Sequence, residues 1–375
     1  EMYVDHNEAV ARVPSHRFLA MKRGEEEGIL RISLELDNDR VVGQMQTYFL
    51  ANPQFEFYSE LQKTVEDCYE RLLKPATEST VFQWLKEKAD EEAITVFGKN
   101  LRELLLAPPA GPKVTLGIDP GFRTGCKLAV VDATGKYIAH KTIFPTPPTS
   151  DIPGASKTLL ELIAKYRIEL IAIGNGTASR ETDSFVTDLI RDHKLAVTKV
   201  MVSEAGASIY SASELAASEY PNLDVTVRGA ISIAHRLQDP LAELVKTDPK
   251  SIGVGQYQHD VNQTLLRKCL EREVESCVNK VGVDLNMASA SLLSHVSGIG
   301  PKLAENIVKF RDENGPFQKR QQLTKVPKLG AKAFEQSAGF LRIRNGDQPL
   351  DNSAVHPESY GLVEKMAKRL GVSSA

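Results

Sequence analysis

Val114-Thr115-Leu116-Gly117-Ile118-Asp119, Cys126-Lys127-Leu128-Ala129-Val130-Val131-Asp132 and Tyr137-Ile138-Ala139-His140-Lys141-Thr142-Ile143-Phe144 are three β-rich runs joined by short turns, one of them at Thr134-Gly135. Connections this short allow only an antiparallel meander, because a parallel crossover needs a dozen or more residues. Downstream the period alternates: helix at 156–166, strand at 170–175, helix at 180–192, strand at 197–203, helix at 205–218. A short strand-like run at 224–228 and a helix at 230–245 follow. Strands separated by helices are predicted to pair in parallel.

The order β-β-β-α-β-α-β-α is the layout of RNase H-like folds, which assigns residues 113–246 to one α/β domain. Residues 1–107 read as mostly helical, with Tyr58, Leu61, Val65 and Leu72 at helical spacing and a second stripe through Leu85, Ala89, Phe97 and Leu101. One exception is 29–37, where Ile32, Leu34 and Leu36 alternate with Arg31, Ser33 and Glu35 as in a half-exposed strand. Pro108-Pro109-Ala110-Gly111-Pro112 ends this region, since neither a helix nor a central strand tolerates it. A connecting helical segment occupies 247–290, with an amphipathic helix at 260–281. Two helical hairpins occupy 291–344, and a polar, then helical, extension covers 345–375. The expected architecture is multidomain, α and α/β.

Composition narrows the function less than the pattern does. With 42% hydrophobic and 25% charged residues, buried cores are expected throughout. No apolar run approaches the roughly 18 residues of a membrane span, so no membrane partner is expected. Cys68, Cys126, Cys269 and Cys277 lie far apart without a CxxC pair. They read as reduced thiols in a cytoplasmic compartment, with no metal and no cofactor. Glu1-Met2-Tyr3-Val4-Asp5-His6 is neither a secretory leader nor a natural start, so the chain is expected to be a piece of a longer protein. A net charge of −3 gives no global attraction for nucleic acid, so any such affinity must be local.

That local element is Ser297-Gly298-Ile299-Gly300-Pro301-Lys302, where one helix breaks and another starts at once. Glycines let a ligand approach the backbone, and the N–H groups opening the second helix favour an anion. Lys302 adds a point charge. A fainter copy follows at Val326-Pro327-Lys328-Leu329-Gly330, with Lys328 in place of the first glycine and Lys332 just beyond. Between Ser291 and Arg344 ten Lys/Arg face four Asp/Glu, a local surplus of six. Gly298, Ile299, Gly300, Lys302, Lys328, Gly330 and Lys332 are therefore the candidate nucleic-acid contacts. Such contacts hold phosphates and read no sequence. The competing reading is a hairpin that only packs two helical layers.

Asp119 ends the first strand of the α/β domain, and Glu204 and Asp239 are its candidate partners. Nucleases of this fold hold two divalent metals about 4 Å apart with three or four carboxylates. Asn175 stands at the end of its strand, where such a site needs charge. The three acids are expected to be vestigial, with no catalysis. Asp119 then caps or fixes its own turn, and Glu204 starts a helix.

Gly117-Ile118-Asp119-Pro120-Gly121 with Arg123-Thr124-Gly125 resembles the YqgF branch of RuvC-like domains. Together with Pro14-Ser15-His16-Arg17-Phe18-Leu19-Ala20, Ser203-Glu204-Ala205-Gly206-Ala207-Ser208, Gln238-Asp239-Pro240-Leu241 and Gly253-Val254-Gly255-Gln256-Tyr257, it resembles the Tex family of bacterial transcription accessory proteins. The resemblance implies a helical amino-terminal region, a YqgF domain without established catalysis, and tandem helix-hairpin-helix motifs. It also implies a carboxy-terminal OB-fold RNA-binding domain, expected to lie beyond this piece of the chain. The expected function is non-enzymatic, sequence-independent binding of RNA and/or DNA in transcription. The alternatives are a metal-dependent RuvC-like nuclease and a scaffold docking on RNA polymerase or the ribosome.

Overall fold

The three β-rich runs pair as their spacing requires. The computed structural model describes residues 3–344 and 346–372. Readings placed on Glu1-Met2, Asn345 and 373–375 lie outside the described residues. The chain forms two compact units, 3–97 with 255–266 and 98–254 with 267–372.

The first unit is helical, through α1 (Ser15–Glu26), α2 (Asn38–Phe49), α3 (Tyr58–Cys68) and the amino-terminal part of α4 (Lys74–Leu105). A turn of π-helix at Tyr69–Leu73 joins α3 to α4. Phe18, Leu19, Tyr69, Leu85, Ala89 and Phe97 are buried here. The returning segment is held by an Arg23–Asp260 ion pair, with the Arg23 guanidinium 5.0 Å above the Tyr257 ring. The alternation at 29–37 does not make a strand: residues 30–37 carry no regular structure before α2 starts behind its Asp37 cap. Alternation specifies a face, but a strand also needs a ladder partner.

In the second unit β1 (Thr115–Asp119), β2 (Cys126–Val131) and β3 (Tyr137–Ile143) form the antiparallel meander. After α5 (Ile152–Tyr166), β4 (Leu170–Gly174) pairs parallel with β1. After α6 (Ser179–Asp192), β5 (Thr198–Val202) pairs parallel with β4. The sheet order is β3-β2-β1-β4-β5. One face buries Leu116, Ile118, Leu128 and Val130 against Leu159, Leu162, Val186 and Leu189 of α5 and α6.

The other face is crossed by α9 (Val225–Gln238), which follows the short α7 (Ala207–Ala212) and α8 (Glu214–Glu219). A Cβ on Gly117 would lie 2.0 Å from the Ala230 carbonyl oxygen, so only glycine lets α9 rest on β1 at this point. Three sequence expectations shift in this stretch. The run 224–228 is not a strand: the Asp224 carboxylate accepts from Thr226 N at 2.9 Å and starts α9 despite the β-branched Val225-Thr226-Val227. The helix expected at 205–218 breaks at Ser213, which is extended and caps α8. The helix expected at 230–245 breaks at Asp239 before Pro240, and α10 (Pro240–Leu244) starts anew.

The remaining elements are α11 (Gln263–Val281), β6 (Val283–Asp284), α12 (Ala290–Leu293), α13 (Pro301–Asn314), α14 (Ala331–Ser337), β7 (Leu341–Arg342) and α15 (Tyr360–Leu370). Strands β6 and β7 pair in parallel and close the hairpin segment. No helix among the described residues is long and apolar enough to cross a membrane.

Candidate nucleic-acid interface

Two hairpins with one backbone plan are built from Leu293, Val296 and Ile299 in the first and Leu323, Val326 and Leu329 in the second, all buried. In each, the N–H of the third apolar residue donates to the carbonyl of the second, at 2.9 Å for Ile299 to Val296 and 3.1 Å for Leu329 to Val326. Ile299 is therefore a core wedge, and only its backbone is placed to meet a ligand.

Gly298 is left-handed at φ +82°, and a Cβ there would lie 2.8 Å from Gln336 Cβ. Lys328 holds the same conformation at φ +68°, so the second hairpin completes its turn without the glycine. Gly300 and Gly330 are different. Their φ values of −86° and −81° suit any residue, and nothing lies within 4 Å of a Cβ built on either. The fold does not ask for glycine at these two positions. What a side chain would obstruct there is approach from outside. No side chain caps α13 at Gly300 or α14 at Gly330. The Asn306 amide donates to the Pro327 carbonyl at 3.0 Å and ties the second hairpin to α13.

The basic surplus sorts into two populations. Arg320 is only 1% exposed and donates to the carbonyls of Leu341 and Val355 and to the Tyr360 hydroxyl, each at 2.7 Å, and to the Ser353 carbonyl. Arg311 donates to the Leu285 and Ala288 carbonyls, and Arg342 to that of Gly339. Lys309, Lys319 and Arg344 pair with Glu313, Asp347 and Asp284. Lys302, Lys325, Lys328 and Lys332 are exposed, and among the described residues they form no ion pair. All four lie in the hairpins or within two residues of them. Counting charges along the sequence overstated the patch, because it could not see which arginines the fold uses internally.

The acids of the α/β domain come together only in part. The Asp119 carboxylate lies over Gly229 of α9, where an added Cβ would be 2.9 Å from Oδ2. The Glu204 carboxylate fills the room left by Gly174 and Gly176, 1.5 Å from where a Gly176 Cβ would stand. Burial, and then the neighbouring Glu204 charge, push the Asp119 carboxyl up to about 6, opposed by Lys127. Asp239 stands apart from both: from Gly229 it is most of α9 away, about 15 Å at 1.5 Å per residue. There it caps α10, accepting from Ala242 N at 3.0 Å. Asn175 accepts from Glu204 N at 3.1 Å through its side-chain carbonyl, so it fixes the turn that presents Glu204. Among the described residues no three His, Cys, Asp or Glu side chains gather as a metal would require. Sequence reasoning missed Gly174, Gly176 and Gly229; their signal was glycine at strand ends and within a helix, where packing against a carboxylate replaces a side chain.

Family models match along the chain: Tex central region-like at residues 1–97, Tex protein YqgF-like domain at 113–238, helix-hairpin-helix motif at 278–342 and HHH domain at 348–375. Protein tex of Bordetella pertussis is 55% identical over 98% of this chain and 48% of its own length. Transcriptional accessory protein Tex of Neisseria gonorrhoeae is 52% identical over 100% of this chain and 50% of its own. The human S1 RNA-binding domain-containing protein 1 is 40% identical over 96% of this chain and 37% of its own length. The chain thus spans about half the length of the bacterial relatives it matches.

Proposed function

The chain belongs to the Tex family of transcription accessory proteins, and on that premise we propose that its tandem hairpins hold nucleic acid by the phosphate backbone without selecting sequence. The observation that carries this reading is the pair Gly300 and Gly330, glycines that no neighbouring atom requires, each at an uncapped helix start. Lys302, Lys325, Lys328 and Lys332 supply the charge beside them. Backbone N–H groups and lysines meet phosphate oxygens and leave base edges unread. The name of the Neisseria relative makes transcription the setting.

The YqgF-like domain is, in this reading, a non-catalytic scaffold. Two carboxylates with Asp239 elsewhere do not fit a two-metal centre, and Asn175 is engaged with the Glu204 backbone. The test has two arms. Titration of duplex DNA and single-stranded RNA of several sequences across a salt series should give affinities that fall steeply with salt and vary little with sequence. Incubation with branched, duplex and single-stranded substrates and Mg²⁺ or Mn²⁺ should leave them intact. Cleavage abolished by Asp119→Asn would replace this reading with a nuclease.

A further inference from the structure

Helices α2 and α3 of the amino-terminal unit meet at a loop whose large apolar side chains are left in solvent. Tyr48 is 81% exposed, Phe49 64%, Phe57 54% and Phe55 48%, and Leu61 in the first turn of α3 is exposed as well. The rings associate in pairs, Tyr48 with Phe49 at 4.9 Å and Phe55 with Phe57 at 5.8 Å, both edge to face. Single exposed apolar residues are ordinary, whereas two exposed aromatic pairs within ten residues of chain mark a surface that something covers.

The charges around the cluster select its occupant. From Tyr48 to Glu60 the only charged residues are Glu56 and Glu60, both exposed. Further along, the charges balance: Arg71 pairs with Asp67 at 2.8 Å and Lys74 with Glu70 at 3.5 Å, so Glu56 and Glu60 are the charges that set the loop's sign. Aromatic rings interleaved with carboxylates repel phosphate and attract a cation with an apolar stem. Arginine meets both demands, since its guanidinium stacks on ring faces while pairing with carboxylates. We propose that the loop joining α2 and α3 is a docking surface for a basic, apolar segment of a partner protein, distinct from the hairpins that face nucleic acid. Aromatic anchors with a charged rim are the usual makeup of such a surface.

The experiment uses the full chain and two fluorescent amphipathic peptides, one of leucine and arginine, the other with glutamate in place of arginine. Both are titrated against the parent, a Phe55→Ser/Phe57→Ser variant and a Glu56→Lys/Glu60→Lys variant. All four positions are exposed, so the variants should keep the parent's circular dichroism. The expected result is binding of the arginine peptide alone, weakened about tenfold or more by each variant. Equal binding of both peptides, or variants that bind as the parent does, would overturn the proposal. So would single-stranded RNA affinity that falls in the phenylalanine variant, or self-association of the parent that the same variant abolishes.

Discussion

Lys328 holds in the second hairpin the left-handed backbone position that Gly298 holds in the first, at φ +68° against +82°. A lysine there carries steric strain that glycine does not, roughly 1 kcal/mol. It also places an exposed ammonium at the hairpin tip. The two consequences oppose one another, and this gives a test.

Lys328→Gly should stabilise the fold by about 1 kcal/mol in urea unfolding while weakening nucleic-acid binding. The salt slope on duplex DNA should fall by roughly one counterion. A variant that gains stability and binds as the parent does would remove Lys328 from the interface.

Asp119 should make stability depend on pH. Its carboxyl is raised to about 6 in the folded chain from the ordinary aspartate value of 3.8. Between these values the folded state binds the extra proton. The contribution is therefore fully present below about pH 4 and is lost as pH rises through 6. Asp119→Asn should then be more stable than the parent at pH 7.5, by roughly 2–3 kcal/mol at 1.36 kcal/mol per unit, and little different at pH 4. Urea midpoints at the two pH values check this. A variant less stable than the parent at pH 7.5 would show that the ionised carboxylate is held favourably.

Arg320 and Lys302 lie in one basic segment and should behave oppositely. Arg320→Met leaves the carbonyls of Leu341, Val355 and Ser353 without their donor and removes the guanidinium 4.0 Å from the buried Asp351 carboxylate, which keeps its bonds from the backbone N–H of residue 320 and the Tyr360 hydroxyl. A loss of about 3–5 kcal/mol is expected. Lys302→Ala, on the surface, should stay within about 0.5 kcal/mol of the parent. Similar thermal midpoints for the two variants would contradict this division.

The sequence carried the sheet because the meander and the alternating periods are local signals, and Asp119 and Glu204 fell at strand ends as the spacing required. It misread 224–228 because Val225-Thr226-Val227 favour strands, while one Asp224 cap and the packing of Ala230 over Gly117 decide for a helix. It misread 29–37 because alternation is visible in one segment and a missing partner strand is not. Of the hairpins, it found the glycines but could not separate Gly298, which the fold needs, from Gly300, which it does not. That distinction rests on what lies across space from each Cα. The same holds for Arg320, whose partners come from 21 to 40 residues farther along the chain.

That Gly300 is glycine for the sake of phosphate is tested most directly by Gly300→Val beside Lys302→Ala. Each variant is titrated with duplex DNA and single-stranded RNA over a salt series, with folding followed by circular dichroism. Valine suits the backbone at φ −86° and meets no neighbour, so the cost to the fold should not exceed about 1 kcal/mol, the effect of a poor helix cap. The expected result is a folded Gly300→Val protein whose affinity falls about tenfold or more on every sequence, and a Lys302→Ala protein whose salt slope on duplex DNA is lower by roughly one. Unchanged affinity in both folded variants would contradict it, and would mean that the hairpins only pack against one another.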